Sequence, residues 1–147
     1  MTRHQMRQSA VMLTFERLFN DDSIESILET AKECETVPVD DKVIALFRGV
    51  DARRDVLDRE IEKHLKNWTL PRISRVSLAV LRVAMYEILF VEDMNTDIAI
   101  SEAVKIAQEF TGREDVSFIN GVLSSVSKSL KAQPAGEGAD HAPVSGD

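Results

Sequence analysis

Residues 76–91, VSLAVLRVAMYEILFV, are the most apolar continuous stretch of the chain, and they still carry two internal charges, Arg82 and Glu87. Leu78, Leu81, Met85, Ile88 and Leu89 recur at helical spacing, and Val80, Val83 and Ala84 widen the stripe until most of the cylinder is apolar. A helix of that kind belongs in the middle of a molecule. With sixteen residues and two charges it is too short and too polar to span a bilayer, so its surroundings must be other helices.

The remainder of the 147 residues supplies them. An apolar content of 44% suffices for one domain with a real core and is too little chain for two ordinary ones. Helical spacing of apolar residues predicts helices over 3–19, 22–35, 40–67, 98–110 and 114–131, with Gly49 as a bend in the long third one. Asn20-Asp21-Asp22, Val37-Pro38 and Thr111-Gly112 interrupt them, and Asn95 supplies N-cap chemistry. The segment Asn67-Trp68-Thr69-Leu70-Pro71 reads as a hinge between two subdomains, plugged by Trp68. No segment alternates with period two, so the expected fold is all-α with about seven helices. Residues 1–133 form the expected domain; 134–147 collapse to Pro, Ala, Gly, Ser and acids and are expected to be a disordered acidic tail.

The net charge of −7 argues against nucleic acid, but its distribution is uneven. Residues 1–19 carry Arg3, Arg7 and Arg17 against Glu16 alone, whereas residues 20–41 carry eight acids against Lys32. The single Cys34 excludes an internal disulfide framework, and the apolar run at 10–15 is too short for a secretory signal, so a cytoplasmic location is expected.

Catalytic signatures are missing. There is no HExxH, P-loop, GxGxxG or GxSxG, and the histidines His4, His64 and His141 have no partners at metal-ligand spacing. The carboxylate pairs Asp51/Asp55 and Asp58/Glu62 are better read as parts of a solvated ion-pair face, with Arg59 and Lys66 one turn further on. The reading is of a protein that is not an enzyme and needs neither metal nor cofactor. Arg82, on a nearly all-apolar helix, should be at least partly buried and requires a carboxylate; Glu87, Glu102 and Glu109 are candidates, and Glu102 is favoured. Asn120-Gly121, inside a strong helix, suggests a close approach of two helix backbones. Arg3, His4 and Arg7 at the start of a helix oppose its dipole, as an ordinary solvated terminus or as a site that gathers phosphate; the residues leave both open.

Several spaced motifs in one order resemble the bacterial NusB family of transcription antitermination factors. They are His64-Leu65-Lys66-Asn67-Trp68, Arg72-Ile73, Leu81-Arg82, Tyr86-Glu87, Glu102-Ala103 and Phe118-Ile119-Asn120-Gly121-Val122-Leu123. The resemblance implies two packed helical bundles and binding of the single-stranded boxA element of ribosomal RNA leader transcripts. The implied partners are NusE, a small-subunit ribosomal protein, and the antitermination complex on RNA polymerase. Carried over by position, the RNA surface falls on Arg3, His4, Gln5, Arg7, Phe110, Glu114 and Phe118. Ser77 and Leu78 fall on the partner-binding side, and Trp68, Arg82, Glu87, Glu102, Asn120 and Gly121 on the structural framework.

Phe118 could stack on a base or pack in the core. Where the family has consecutive arginines this chain has Arg-His-Gln-Met-Arg, which lowers electrostatic affinity. Two to four phosphate contacts correspond to a slope of log K against log salt of about −1.4 to −2.8 for single-stranded RNA. The thinned basic start, with Leu78 at the partner side, also motivates a second reading: a helical interaction module, homodimeric or bound to other proteins, that has lost useful RNA affinity. A third is the non-catalytic RNA-binding partner of an RNA methyltransferase.

Overall fold

The computed structural model describes residues 1–35, 37–66 and 69–132. They form α1 (Arg3–Arg17), α2 (Ile24–Cys34), α3 (Asp41–Ala52), α4 (Arg54–Glu62), a 3-10 turn (Leu70–Arg72), α5 (Arg75–Phe90), α6 (Thr96–Phe110) and α7 (Arg113–Ala132), with no strand among the described residues. Trp68, expected to plug the hinge, and residues 134–147, expected to form a tail, lie outside the described residues.

Helix starts are written locally. Thr2, Ser23, Asp40, Ser74 and Asn95 each accept a backbone N–H from the first turn of the helix that follows, satisfying a donor that has no partner within the helix. At α1 this becomes a capping box: Thr2 Oγ1 accepts from the Gln5 amide at 3.0 Å, and Gln5 Oε1 accepts from the Thr2 amide at 2.8 Å. α2 ends with Glu35 in the left-handed region, φ 54°.

The apolar stretch that opened the sequence becomes α5, and it packs against α1, α3, α4, α6 and α7. Val80, Leu81, Val83, Ala84 and Met85 are buried there with Leu57, Ile61, Ile106, Ile119 and Leu123 from the surrounding helices. A smaller core joins α1, α2 and α3 through Leu13, Ile27, Leu28, Val43 and Phe47. No helix among the described residues is long and apolar enough to cross a membrane.

Three local expectations change. The long helix over 40–67 is two helices that meet at Arg53, whose φ of −111° and ψ of 17° end α3. Gly49 does not bend α3; it makes room for α5, because a Cβ built there would overlap the Tyr86 phenol ring. Asn120-Gly121 is no close approach, since both residues are exposed and a Cβ on Gly121 would meet nothing within 4 Å.

Candidate nucleic-acid interface

The basic start of the chain divides into inward and outward residues. Arg7 turns inward: it is 4% exposed, and its Nε donates to both Glu87 carboxylate oxygens at 2.9 and 3.0 Å. One of its Nη atoms lies 3.7 Å from Glu102 Oε1. The pair ties α1 to the last turn of α5, and burial pushes the Glu87 carboxyl above its ordinary value against the opposing pull of Arg7. The structure places Arg7, expected on the RNA surface, inside the protein. Its guanidinium is enclosed by protein, and exposing it would leave Glu87 buried without a counter-charge.

Arg82 is the second buried arginine, and its partner also differs from the favoured one. Nε and one Nη donate to the two oxygens of Asp58 on α4, both at 2.8 Å, in a bidentate pair. Glu102, expected to pair with Arg82, instead receives His4 Nδ1 at 2.7 Å and Lys105 Nζ at 3.3 Å. Asp51, placed by sequence on a solvated face, likewise reaches across to Arg17 at 3.0 Å as well as to Arg54.

His4 stands half-buried between α1 and α6, with Nδ1 toward Glu102 and Nε2 toward Glu109 at 3.1 Å. Hydrogen bonds that its ring donates to Glu102, then to Glu109, hold its pKa above the ordinary 6.5. Burial works to raise the Glu102 carboxyl, but His4 and Lys105 outweigh it and keep that group low. Glu109 is also low, held first by Gln8, which donates to it at 2.8 Å, and then by His4. His4 thus directs both ring nitrogens to carboxylates of α6.

Arg3 and Gln5 are exposed, although Gln5 is engaged in the capping box. Phe110, at the end of α6, is 38% exposed and lines a depression of ≈ 410 Å³ with Gln5, Gln8 and Met12. Glu114 is exposed in the first turn of α7, and Phe118 is half-buried against the main core. Arg3, Gln5, Phe110 and Glu114 therefore keep accessible surface, whereas Arg7 does not.

Phe110 and Met12 also border a larger apolar groove of ≈ 680 Å³, with Phe15, Phe19, Val37 and Val76. Phe19 is 60% exposed, meets Phe15 edge-on at 5.0 Å, and lies under the Arg75 guanidinium at 4.8 Å. Although Phe15 and Phe19 share the apolar spacing of α1, they line this groove. On the expected partner side, Ser77 is fully buried, its hydroxyl without a hydrogen-bond partner among the described residues, and Leu78 is half-buried against the core. Their neighbour Val76 is the residue that reaches the groove. Among the described residues no group of three His, Cys, Asp or Glu is placed to hold a metal.

Comparison with known proteins agrees with this architecture. A model of the NusB family matches residues 4–128. The transcription antitermination protein NusB of Oceanobacillus iheyensis is 35% identical over 126 residues, covering 86% of this chain and 98% of that protein. The structure of T. maritima NusB superposes with a TM-score of 0.75 at 32% identity, over 87% of this chain and 92% of that one. A chain in the crystal structure of the antitermination factors NusB and NusE in complex with dsRNA shares the fold, with a TM-score of 0.76 at 20% identity over 86% of this chain and 96% of that one. The chain belongs to the NusB family of transcription antitermination proteins.

Proposed function

We propose that this protein binds single-stranded boxA RNA of ribosomal RNA leader transcripts together with NusE, and so helps an RNA polymerase antitermination complex to transcribe ribosomal RNA processively in the cytoplasm. The observation that carries the reading is exposed surface on two sides of α1: Phe110, at the end of α6 next to Gln5 and Gln8, offers a ring face and amides to bases, and Arg3, around the N-terminus of the helix, offers a charge to phosphate. Arg7 has a different role. It fixes the angle at which α1 presents Arg3.

Support for NusE comes from family membership and from the NusB and NusE complex whose fold this chain shares. The apolar groove at Phe15, Phe19 and Val76 is the surface we assign to it, since an exposed patch of this kind marks a protein contact. The RNA and the partner would then meet at Phe110, which borders both surfaces.

The second reading, an interaction module or homodimer without useful RNA affinity, is favoured by one observation: two of the three basic residues at the start of the chain are held by acids. Fluorescence anisotropy of labelled boxA RNA, with and without NusE and against a scrambled RNA, separates the two. Binding that requires NusE and rejects the scrambled RNA supports the antitermination role. A folded protein that binds neither RNA under either condition supports the module.

A further inference from the structure

Arg3 borders a second groove that the family resemblance does not assign. Residues 3, 6 and 7 lie on the opposite side of α1 from 5, 8, 9 and 12, and they line a groove of ≈ 480 Å³ in which Arg7 and Glu87 are already paired with each other. Its lining includes two exposed cations, Arg3 from α1 and Lys42 from α3, and two acids, Glu92 and Asp93, from the loop between α5 and α6. Tyr86 and Ile98 supply apolar wall, and Ile98 is 53% exposed.

The cations of this lining are uncommitted. Neither Arg3 nor Lys42 is in an ion pair among the described residues, in contrast to His4, Arg7 and Arg17, each held by an acid. Near the start of α1 the cations left for a phosphate are therefore Arg3 and Lys42, which line one groove. Its size suits a single nucleotide, since small-molecule sites begin at roughly 300 Å³. The Glu92 and Asp93 carboxylates of the same groove are suited to the base of such a ligand, because a carboxylate accepts from the exocyclic amino group of cytosine or adenine and finds no such donor on uracil.

We propose that this groove takes one nucleotide of a single-stranded RNA, with its phosphate between Arg3 and Lys42, its base against Tyr86 and Ile98, and its amino edge toward Glu92 and Asp93. The site rests on the RNA-binding reading above and extends it: the strand does not stop at the Phe110 side of α1 but passes its N-terminus, and an amino-bearing base is preferred over uracil at that step. Lys42, not Arg7, is the second cation of the interface.

The test is a titration of isotopically labelled full-length protein with oligocytidine and with oligouridine, followed by amide chemical shifts, alongside boxA anisotropy in the presence of NusE. The proposal expects shifts at Lys42, Asn95 and Ile98 that are larger with oligocytidine. It also expects Lys42→Ala to weaken boxA binding about fivefold and to flatten the salt slope by about 0.7, the share of one phosphate. Lys32→Ala, an exposed cation on α2, should change neither quantity. Shifts confined to Gln5, Phe110 and α7, or boxA binding indifferent to Lys42→Ala, would overturn the groove and leave the RNA-binding reading standing. Equal shifts with both oligonucleotides would overturn the assigned base orientation. Absence of binding to every RNA, with NusE present, would overturn both.

Discussion

Arg3 and Arg7 lie one turn apart on the same helix and have opposite fates. Arg7 is sealed against Glu87 and ties α1 to the central helix; Arg3 stays exposed and is in no ion pair among the described residues. The same division recurs between interior and surface elsewhere, with Arg82 locked to Asp58 and Lys42, in a groove lining, in no ion pair among the described residues. What separates the members of each pair is whether a carboxylate waits on the neighbouring helix. A basic residue near a binding surface is therefore no measure of charge available to a ligand, and this interface is less cationic than its sequence suggests.

The division is breakable by substitution. Arg7→Ala should be the most damaging change, costing about 3–5 kcal/mol because it leaves Glu87 buried without its counter-charge; urea denaturation measures it, and a loss below 1 kcal/mol would return Arg7 to the surface class. Gly49→Ala should cost about 1–3 kcal/mol in the same assay through overlap with Tyr86, where a simple bend in α3 would predict stabilisation. Asp58→Asn should destabilise by roughly 1–3 kcal/mol, and Glu102→Gln by clearly less, because it is Asp58 that holds Arg82. Reversal of that order would restore the Glu102 pairing.

A pH series sharpens the comparison at His4. Its pKa is raised in the folded protein, so its contribution to stability is fully present below the ordinary 6.5 and is lost as pH rises through the raised value. Glu102 and Glu109 are lowered, so theirs is present above the ordinary 4.5 and is lost as pH falls through the lowered values. The clamp of α1 on α6 is complete between about 4.5 and 6.5, and nuclear magnetic resonance of the His4 ring should show its titration midpoint fall toward the ordinary value in Glu102→Gln. The smallest stability effect belongs to Arg3→Ala, within about 0.5 kcal/mol of the parent, although RNA affinity should drop.

Much of the fold was legible because it depends on local patterns. The run at 76–91 declared a central helix, and the caps Asn95 and Thr111-Gly112 gave α6 to within two residues. The break at Arg53 was not legible, since no proline or glycine marks it and the apolar spacing continues through it. Two clues at the site were present and unused. Arg7 shares helical spacing with the buried Ala10, Val11 and Thr14, which places it on the inner face. Glu87 is five residues from Arg82, about 140° around α5, so the two could not serve one another. The Asp58 and Lys42 placements, in contrast, depend on how α3 and α4 pack against α5 and α1, and no local pattern encodes that.

The most direct test replaces the buried pair by apolar residues, Arg7→Met with Glu87→Leu, which removes both charges without stranding either. With NusE present and the variant folded, its affinity for boxA RNA and its slope of log K against log salt should match the parent protein. A slope flattened by about 0.7 together with weakened binding would show that Arg7 contacts a phosphate, and would contradict the division between inner and outer cations on which the account stands.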